Sequence, residues 1–287
     1  MTQTTAKILK DTVNQWGARI TTFEINAPRF LLAEVNTHRV IAKSAASSRA
    51  IPVKKRIEMV REAPFVPSSF GKNRAGMQAT ESLTDSDAMA AMAAWLAAAD
   101  AAVMYAAELE AAGVHKQQAN RVLEPFTYFQ GVLTATEWDN YFRLRNHPDA
   151  QPEFQELASV MQELYETSTP VLNEVHLPYS DDLPKGNDLN TAMMISAARC
   201  ARVSYKTFSG VTSTPEVDLD LCTKLIDSGH MSPFDHVAIS DSAVLREAGY
   251  FWENPRDHRH FWGWKPFRVE IEKEKGWTTA RNSYDPF

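Results

Sequence analysis

The stretch that decides the reading runs over residues 18–50, ARITTFEINAPRFLLAEVNTHRVIAKSAASSRA. Residues 18–25 alternate apolar and polar side chains rich in β-branched types, which predicts a strand. Ala27-Pro28 breaks it, and Phe30, Leu31, Leu32 and Val35 then recur at helical spacing. The predicted helix runs into Thr37-His38-Arg39 and the small-residue run AKSAASSRA, which offers hydroxyls and backbone amides without bulk. That composition suits an anion cradle, with Ser47, Ser48 and Arg49 as its candidate ligands.

Outward from this stretch, residues 84–113 carry Ser/Asp caps, an Ala-rich body and a closing Gly113, a full set of helix signals whose Met, Trp and Tyr stripe reads as core. A second long helix is predicted from Asp149 as N-cap, with Pro152 in its first turn, Phe154, Leu157, Met161, Leu164 and Tyr165 on one face, and Pro170 marking its end. Residues 171–192 hold two Pro, one Gly and no periodicity, and read as a connector. Thr214-Pro215-Glu216 opens a further helix, with Val217, Leu221 and Leu225 on one face and Gly229 closing it.

The whole chain has 287 residues, enough for one large domain or two small ones. Its 44% hydrophobic and 23% charged content excludes collagen-like and disordered classes. The net charge of −6 argues against a general nucleic-acid footprint and favours small anions held by a few placed arginines. Two cysteines, Cys200 and Cys222, are too few for a disulfide framework, so a reducing cytoplasm is the natural setting. No run of eighteen residues is wholly apolar, which speaks against a membrane span.

Three arginine-bearing segments stand out: Arg39 with Arg49, Arg121 in ANRVLEP, and Arg143-Leu144-Arg145. Guanidinium forks bind phosphate in pairs, so arginines converging on a hydroxyl-rich turn would make a nucleotide monophosphate site. Taken one at a time, each reads more simply as a solvated or salt-bridged surface residue. His230 and His236 flank a Ser-Pro turn, a pair that is either structural or, with Asp235, metal-ligating.

Together these segments resemble the flavin-dependent thymidylate synthases. Ala27-Pro28-Arg29-Phe30 followed by Thr37-His38-Arg39, seven residues, Ser47 and Arg49 is similar to the family's AP-x-F helix and R-H-R-x7-S signature. Arg121 ahead of Glu124-Pro125, then Asn140, Arg145 and Ala150-Gln151-Pro152-Glu153, continue the match. Cys200-Ala201-Arg202-Val203-Ser204 and His230 to His236 resemble two further family segments that elsewhere precede the AP-x-F helix, so the order resembles a circular permutation. The cut would fall inside one strand, HVAIS at 236–240 ending one half and residues 18–28 supplying the other, and the two stretches should then lie side by side.

The resemblance implies an α+β fold with a central antiparallel or mixed sheet and long helices, in one catalytic domain over residues 1–287. Within it residues 18–170 form the nucleotide and flavin half, 171–192 a connector, 193–240 the permuted flavin-binding segment and 241–287 an aromatic C-terminal extension. It implies transfer of a one-carbon unit from methylenetetrahydrofolate to C5 of dUMP, with FAD as cofactor and NADPH as reductant, in sites shared between subunits of a homotetramer. By position Ser47, Ser48, Arg49 and Arg121 would hold the nucleotide phosphate, with Ser47 and Arg145 as catalytic residues and Arg145 facing the pyrimidine carbonyl. His38, Arg39, Asn140, Asp149, Ser204, His230 and Ser232 would line the FAD.

Three positions depart from the family pattern. Thr37 replaces the first Arg, Glu34 stands where a Gln near the nucleotide is common, and Asp149 replaces a His. A carboxylate only accepts hydrogen bonds, so Glu34 suits an amino group at C4 and opens dCMP, or hydroxymethyl transfer to dCMP or dUMP, as alternatives. From other classes, Asp257, His258 and His260 with His230 or His236 suggest a metal-dependent hydrolase. The tail DHRHFWGWKPFR suggests a single-strand nucleic-acid-binding protein or, more simply, an aromatic segment packed on the body.

Overall fold

The structure, a computed structural model, describes residues 4–76, 78–79, 81–183, 186, 188–203, 211–246 and 249–277. Its strands are β1 (Thr5–Val13), β2 (Arg19–Pro28), β3 (Ala42–Ala45), β4 (Tyr128–Ala135), β5 (Val171–Leu172), β6 (Val175–His176), β7 (Ala238–Ser240), β8 (Ala243–Arg246), β9 (Gly249–Trp252) and β10 (Trp264–Pro266). Its helices are α1 (Leu32–Val35), α2 (Val53–Glu62), α3 (Asp85–Ala111), α4 (Lys116–Ala119), α5 (Asp139–Arg145), α6 (Pro152–Thr167), α7 (Leu189–Arg202), α8 (Pro215–Asp227) and α9 (Phe267–Glu274). This is the α+β class, built on a mixed five-stranded sheet of order β3-β4-β2-β1-β5.

The alternation read in residues 18–25 becomes the central strand β2, paired antiparallel with β1 and β4. One face carries Phe23, Ile25 and Ala27 into a core with Phe154, Leu157 and Met161 of α6, all buried. The opposite face turns Ile20, Thr22 and Glu24 outward, and the later half of the chain covers it. Ala238 packs with Ala18 and Ile20, and the Tyr179 hydroxyl donates to Glu24. α7, α8 and α9 close a further core around Met193, Cys222, Phe234 and Phe267. Trp264 of the aromatic tail is fully buried and donates to the Ala18 carbonyl at 3.1 Å.

The stretches 18–28 and 236–240 therefore meet, but they do not make one strand. β1 enters β2 through a tight turn in which the Asn14 carboxamide accepts from Trp16 and Ala18 and Gly17 takes φ +81°. With that end of β2 closed, β7 joins a separate three-stranded sheet, β10-β7-β6, laid against the face of the first. The Ser240 hydroxyl still reaches the Asn14 amide at 3.0 Å.

Four local expectations are corrected. The run 42–50 is no open cradle: its first half pairs with β4 as β3, and only residues 48–50 form a turn. The N-cap of α6 is Gln151, not Asp149, because Pro152 occupies the first helical position. The connector contains β5, β6 and the start of α7, and buries His176 completely. In α8 the buried positions are Asp218 and Cys222, while Val217 is exposed.

The largest departure is α3. Only Ala99, Val103 and Ala106 are buried, facing α2 and Leu123. Met89, Met92, Met104 and Tyr105, read as core, are exposed, and Trp95 is half-buried with its indole N–H donating to the Phe65 carbonyl. An Ala-rich helix is apolar all round, so its periodicity cannot say which side faces inward. By length and mean hydropathy (1.4) α3 is also the one helix among the described residues long and apolar enough to cross a membrane.

Candidate functional site

The site assembles where α1 ends and α5 passes. Residues 32–35 are helical because Leu31 and Val35 anchor the turn in the core, which leaves Glu34, Thr37 and His38 on the following bend. Arg145 closes α5, and its guanidinium meets all three. Nε donates to His38 Nε2 at 2.9 Å, Nη1 to Glu34 at 3.2 Å and Nη2 to the Thr37 hydroxyl at 3.4 Å. Phe154 lies beneath the guanidinium, 4.4 Å from its ring centre, a stacking that fixes the plane of the fork.

The electrostatics follow from this arrangement. His38 is 8% exposed and packs edge-on against Tyr141 at 5.0 Å. Burial first, then the neighbouring Arg145 and Lys43, push its pKa down to about 4, so the ring is neutral at pH 7. Because Nε2 accepts from Arg145, the proton sits on Nδ1. Thr37 and Glu34, two of the departures from the family pattern, now read as one change: the position that would carry a second cation supplies a hydroxyl, and a carboxylate satisfies the cation that remains.

A second group forms around the turn at residues 48–50. The Asn120 amide, fully buried, donates to the carbonyls of Ser48 and Ile51 at 2.8 and 2.9 Å and pins the turn to α4. The Ser47 hydroxyl accepts from the Arg49 backbone at 3.3 Å. Arg49 and Arg121 are both exposed, and Arg121 is held by Glu124 at 2.9 Å. The residues assigned to phosphate thus share one neighbourhood, while Arg145 belongs to the other.

The residues assigned to flavin are more dispersed. Arg39, next along the chain to His38, and Asn140 and Asp149, on either side of Arg145 in the sequence, are exposed, and the Asn140 carbonyl accepts from Arg143 at 2.9 Å. His230 and Ser232 are exposed beyond α8, on the turn that packs against β3. Ser204 lies outside the described residues. As a donor set these guanidinium, amide and hydroxyl groups fit the polar rim and diphosphate of a flavin nucleotide, with Asp149 as the one group of the wrong sign.

His236 is not with His230. It is fully buried between Thr134 and Ser44, at 2.8 and 2.9 Å. His258 is bonded to Asp241 at 3.0 Å, and among the described residues no cluster of His, Cys, Asp or Glu could hold a metal ion. The metal reading of these histidines is therefore corrected. Both cysteines are buried, and burial pushes the Cys222 thiol up to about 12 and Cys200 higher still, which makes each a poor nucleophile.

Asn120 and His176 escaped the sequence reading. Asn120 sits next to a motif arginine, and a polar side chain beside a hydroxyl turn was its only signal. His176 lay in a segment without periodicity.

The chain belongs to the flavin-dependent thymidylate synthase family: residues 19–171, more than half of its length, match the family described as thymidylate synthase complementing protein. No curated protein matches the sequence. Among solved structures it is similar to the UMP/dUMP methylase PolB from Streptomyces cacaoi bound with 5-Br dUMP, at 15% identity over 57% of this chain and 90% of that one, with a TM-score of 0.47. It is also similar to the flavin-dependent thymidylate synthase ThyX from Helicobacter pylori complexed with FAD and dUMP, at 16% identity over 51% and 67%, with a TM-score of 0.38.

Proposed function

We propose that the protein transfers a one-carbon unit from methylenetetrahydrofolate to C5 of a pyrimidine deoxynucleoside monophosphate, dUMP in the first place, with FAD as cofactor and NADPH as its reductant. The observation that carries this reading is the convergence of Glu34, Thr37 and His38 on Arg145, 107 residues further along the chain than His38. A guanidinium fixed by three partners and a stacked ring is preorganised for charge that grows on a pyrimidine carbonyl as C5 becomes nucleophilic. Neutral His38 holds Nε of the fork, Glu34 and Thr37 each take one N–H of an Nη group, and the second N–H of each Nη serves the substrate carbonyl. Ser47, Arg49 and Arg121 grip the phosphate, and Arg39, Asn140, His230 and Ser232 hold the flavin. Bound reduced flavin supplies the two electrons that complete a methyl group.

The deciding experiment incubates the holoenzyme with dUMP or dCMP, methylenetetrahydrofolate and NADPH, and weighs the product. A gain of about 14 mass units marks methyl and about 30 hydroxymethyl, by cofactor chemistry alone. Yellow protein and a mass gain on dUMP support the reading; colourless protein and no gain on either nucleotide sink it.

The position of Glu34 favours dCMP as a second substrate, since its carboxylate is 40% exposed beside Arg145 and accepts only. Glu34→Gln is expected to raise the dUMP-to-dCMP ratio of kcat/KM by roughly tenfold, one hydrogen bond to a polar edge. An unchanged ratio would remove Glu34 from base selection.

Assembly into a homotetramer is part of the proposal, because the phosphate and base groups sit on separate parts of one subunit. The exposed apolar stripe Met89, Met92 and Leu96 on α3 supports it, since such a patch is ordinarily covered. Met92→Glu with Leu96→Glu should lower the mass measured by light scattering and the flavin retained. A variant of unchanged mass and flavin content would exclude α3 from the interface.

A further inference from the structure

α2 lays Arg56, Met59 and Glu62 against the shared end of β2 and β4, and between them lies a cavity of about 330 Å³. Phe126, Tyr128 and Met59 give it flat apolar walls, while Asn26 and Gln130, opposed across the β2–β4 ladder, put two carboxamides at its floor. Its volume is at the small end of organic ligand sites.

The charge in this cavity is unbalanced. Arg56 is only 3% exposed, and its Nε is buried with no hydrogen-bond partner among the described residues. Arg29 and Arg121 stand close by, and both lean on Glu124, at 3.5 and 2.9 Å. Arg29 and Arg121 thus share one carboxylate, which acts on Arg56 only through space, and Glu156 acts on the cavity wall at Tyr128 from an exposed position. Burial, and after it repulsion from Arg29, weakens the hold of Arg56 on its proton, and Glu124 opposes this only in part. Glu62 is exposed to water at the mouth, where its charge is screened.

Burying a guanidinium without a full set of partners is destabilising, and stability alone would favour a methionine there. An oxyanion repairs both defects at once, because it brings the missing negative charge and two acceptors matched to the fork. We propose that this cavity is a binding site for a small organic oxyanion, a carboxylate or phosphate carried on a flat ring, with Arg56 as its anchor and Phe126 and Tyr128 as its walls. The cavity borders the Ser47–Arg49 turn through Ala46 and Ile51, but Arg56 itself holds no part of the nucleotide or flavin in the function proposed above.

Calorimetric titration of the purified full chain with benzoate and with inorganic phosphate tests this. Saturable binding of benzoate that the cavity variants weaken assigns the site to carboxylates, and saturable binding of phosphate that they weaken assigns it to phosphates. In either case Arg56→Met should weaken binding roughly tenfold to a hundredfold, the loss of a charged hydrogen-bonding partner, while raising the melting midpoint of the unliganded protein. Met59→Trp fills the cavity from its exposed rim with Arg56 intact, and should weaken binding likewise, which keeps the test decisive if Arg56→Met folds poorly. Arg49→Ala, which removes a phosphate ligand of the function proposed above, should bind benzoate as the wild type does, so failure of the nucleotide reading remains separate. No saturable binding of either probe, or equal affinity in the wild type and both cavity variants, overturns the proposal.

Discussion

Arg145→Ala is expected to lower kcat on the nucleotide by about 10²–10³, the cost of losing one preorganised donor at a developing oxyanion. Folding should survive. The Arg145 side chain is 21% exposed, and Glu34, released from it, is free to hydrate; the loss should stay near 1 kcal/mol. A second readout separates this role from a structural one. Arg145 is, after burial, the next contributor to the low pKa of His38. Removing that positive charge should raise the His38 pKa from about 4 toward its ordinary value, visible as a shifted midpoint in a proton NMR titration. Turnover at wild-type rates would end the catalytic assignment, and an unmoved His38 titration would contradict the contact itself.

Acid should unfold this protein earlier than its carboxylates alone would dictate. A continuous run of buried hydrogen bonds crosses the main sheet, from Thr12 to His176, Thr22, Thr134, His236 and Ser44, each link between 2.7 and 2.9 Å. Burial, the leading cause, pushes both histidines down to about 3, with smaller contributions from Lys10 and from His236 on His176, and from His260 on His236. His38 and His260 are pushed down to about 4.

Each folded value lies below the unfolded one, so the unfolded chain takes up protons that the native state refuses. The stability these groups contribute is complete above pH 6.5 and drains away as the pH falls toward 4 and then 3. Asp235 works in the opposite sense, since burial pushes it up to about 6 and its protonation favours the fold below that pH. Four histidines against one carboxyl leave about three protons near pH 5, a slope of about 4 kcal/mol per pH unit. Urea midpoints at pH 7, 6, 5 and 4 measure it. A stability curve flat between pH 6.5 and 4 would show that these rings are not held neutral. His236→Asn should flatten the slope by about 1.4 kcal/mol per unit while lowering stability at pH 7, because Thr134 and Ser44 lose their shared partner.

What the chain announced locally was what local periodicity can carry. β2 was legible from alternation, the apolar face of α6 from Phe154, Leu157 and Met161, and the start of α8 from Thr214-Pro215, whose hydroxyl accepts from the Val217 amide. The candidate site residues were legible as spaced motifs, but the meeting of Glu34, Thr37 and His38 at Arg145 was not. Hydrogen bonds over 107 or more residues leave no trace in spacing.

The outward face of α3 was equally hidden, since alanine buries and exposes at similar cost and gives the helix no preferred side. The same holds for His176 and Arg56, ordinary letters in a connector and in an amphipathic helix. By itself the sequence determined the strongly patterned elements β2, α3, α6 and α8 and the inventory of chemical groups, because those depend on neighbours a few residues away. Only the tertiary structure decided which groups share a pocket, which histidines stay dry and which arginine is left buried without a full set of partners, because desolvation and charge depend on everything packed within a few ångströms, wherever it lies along the chain.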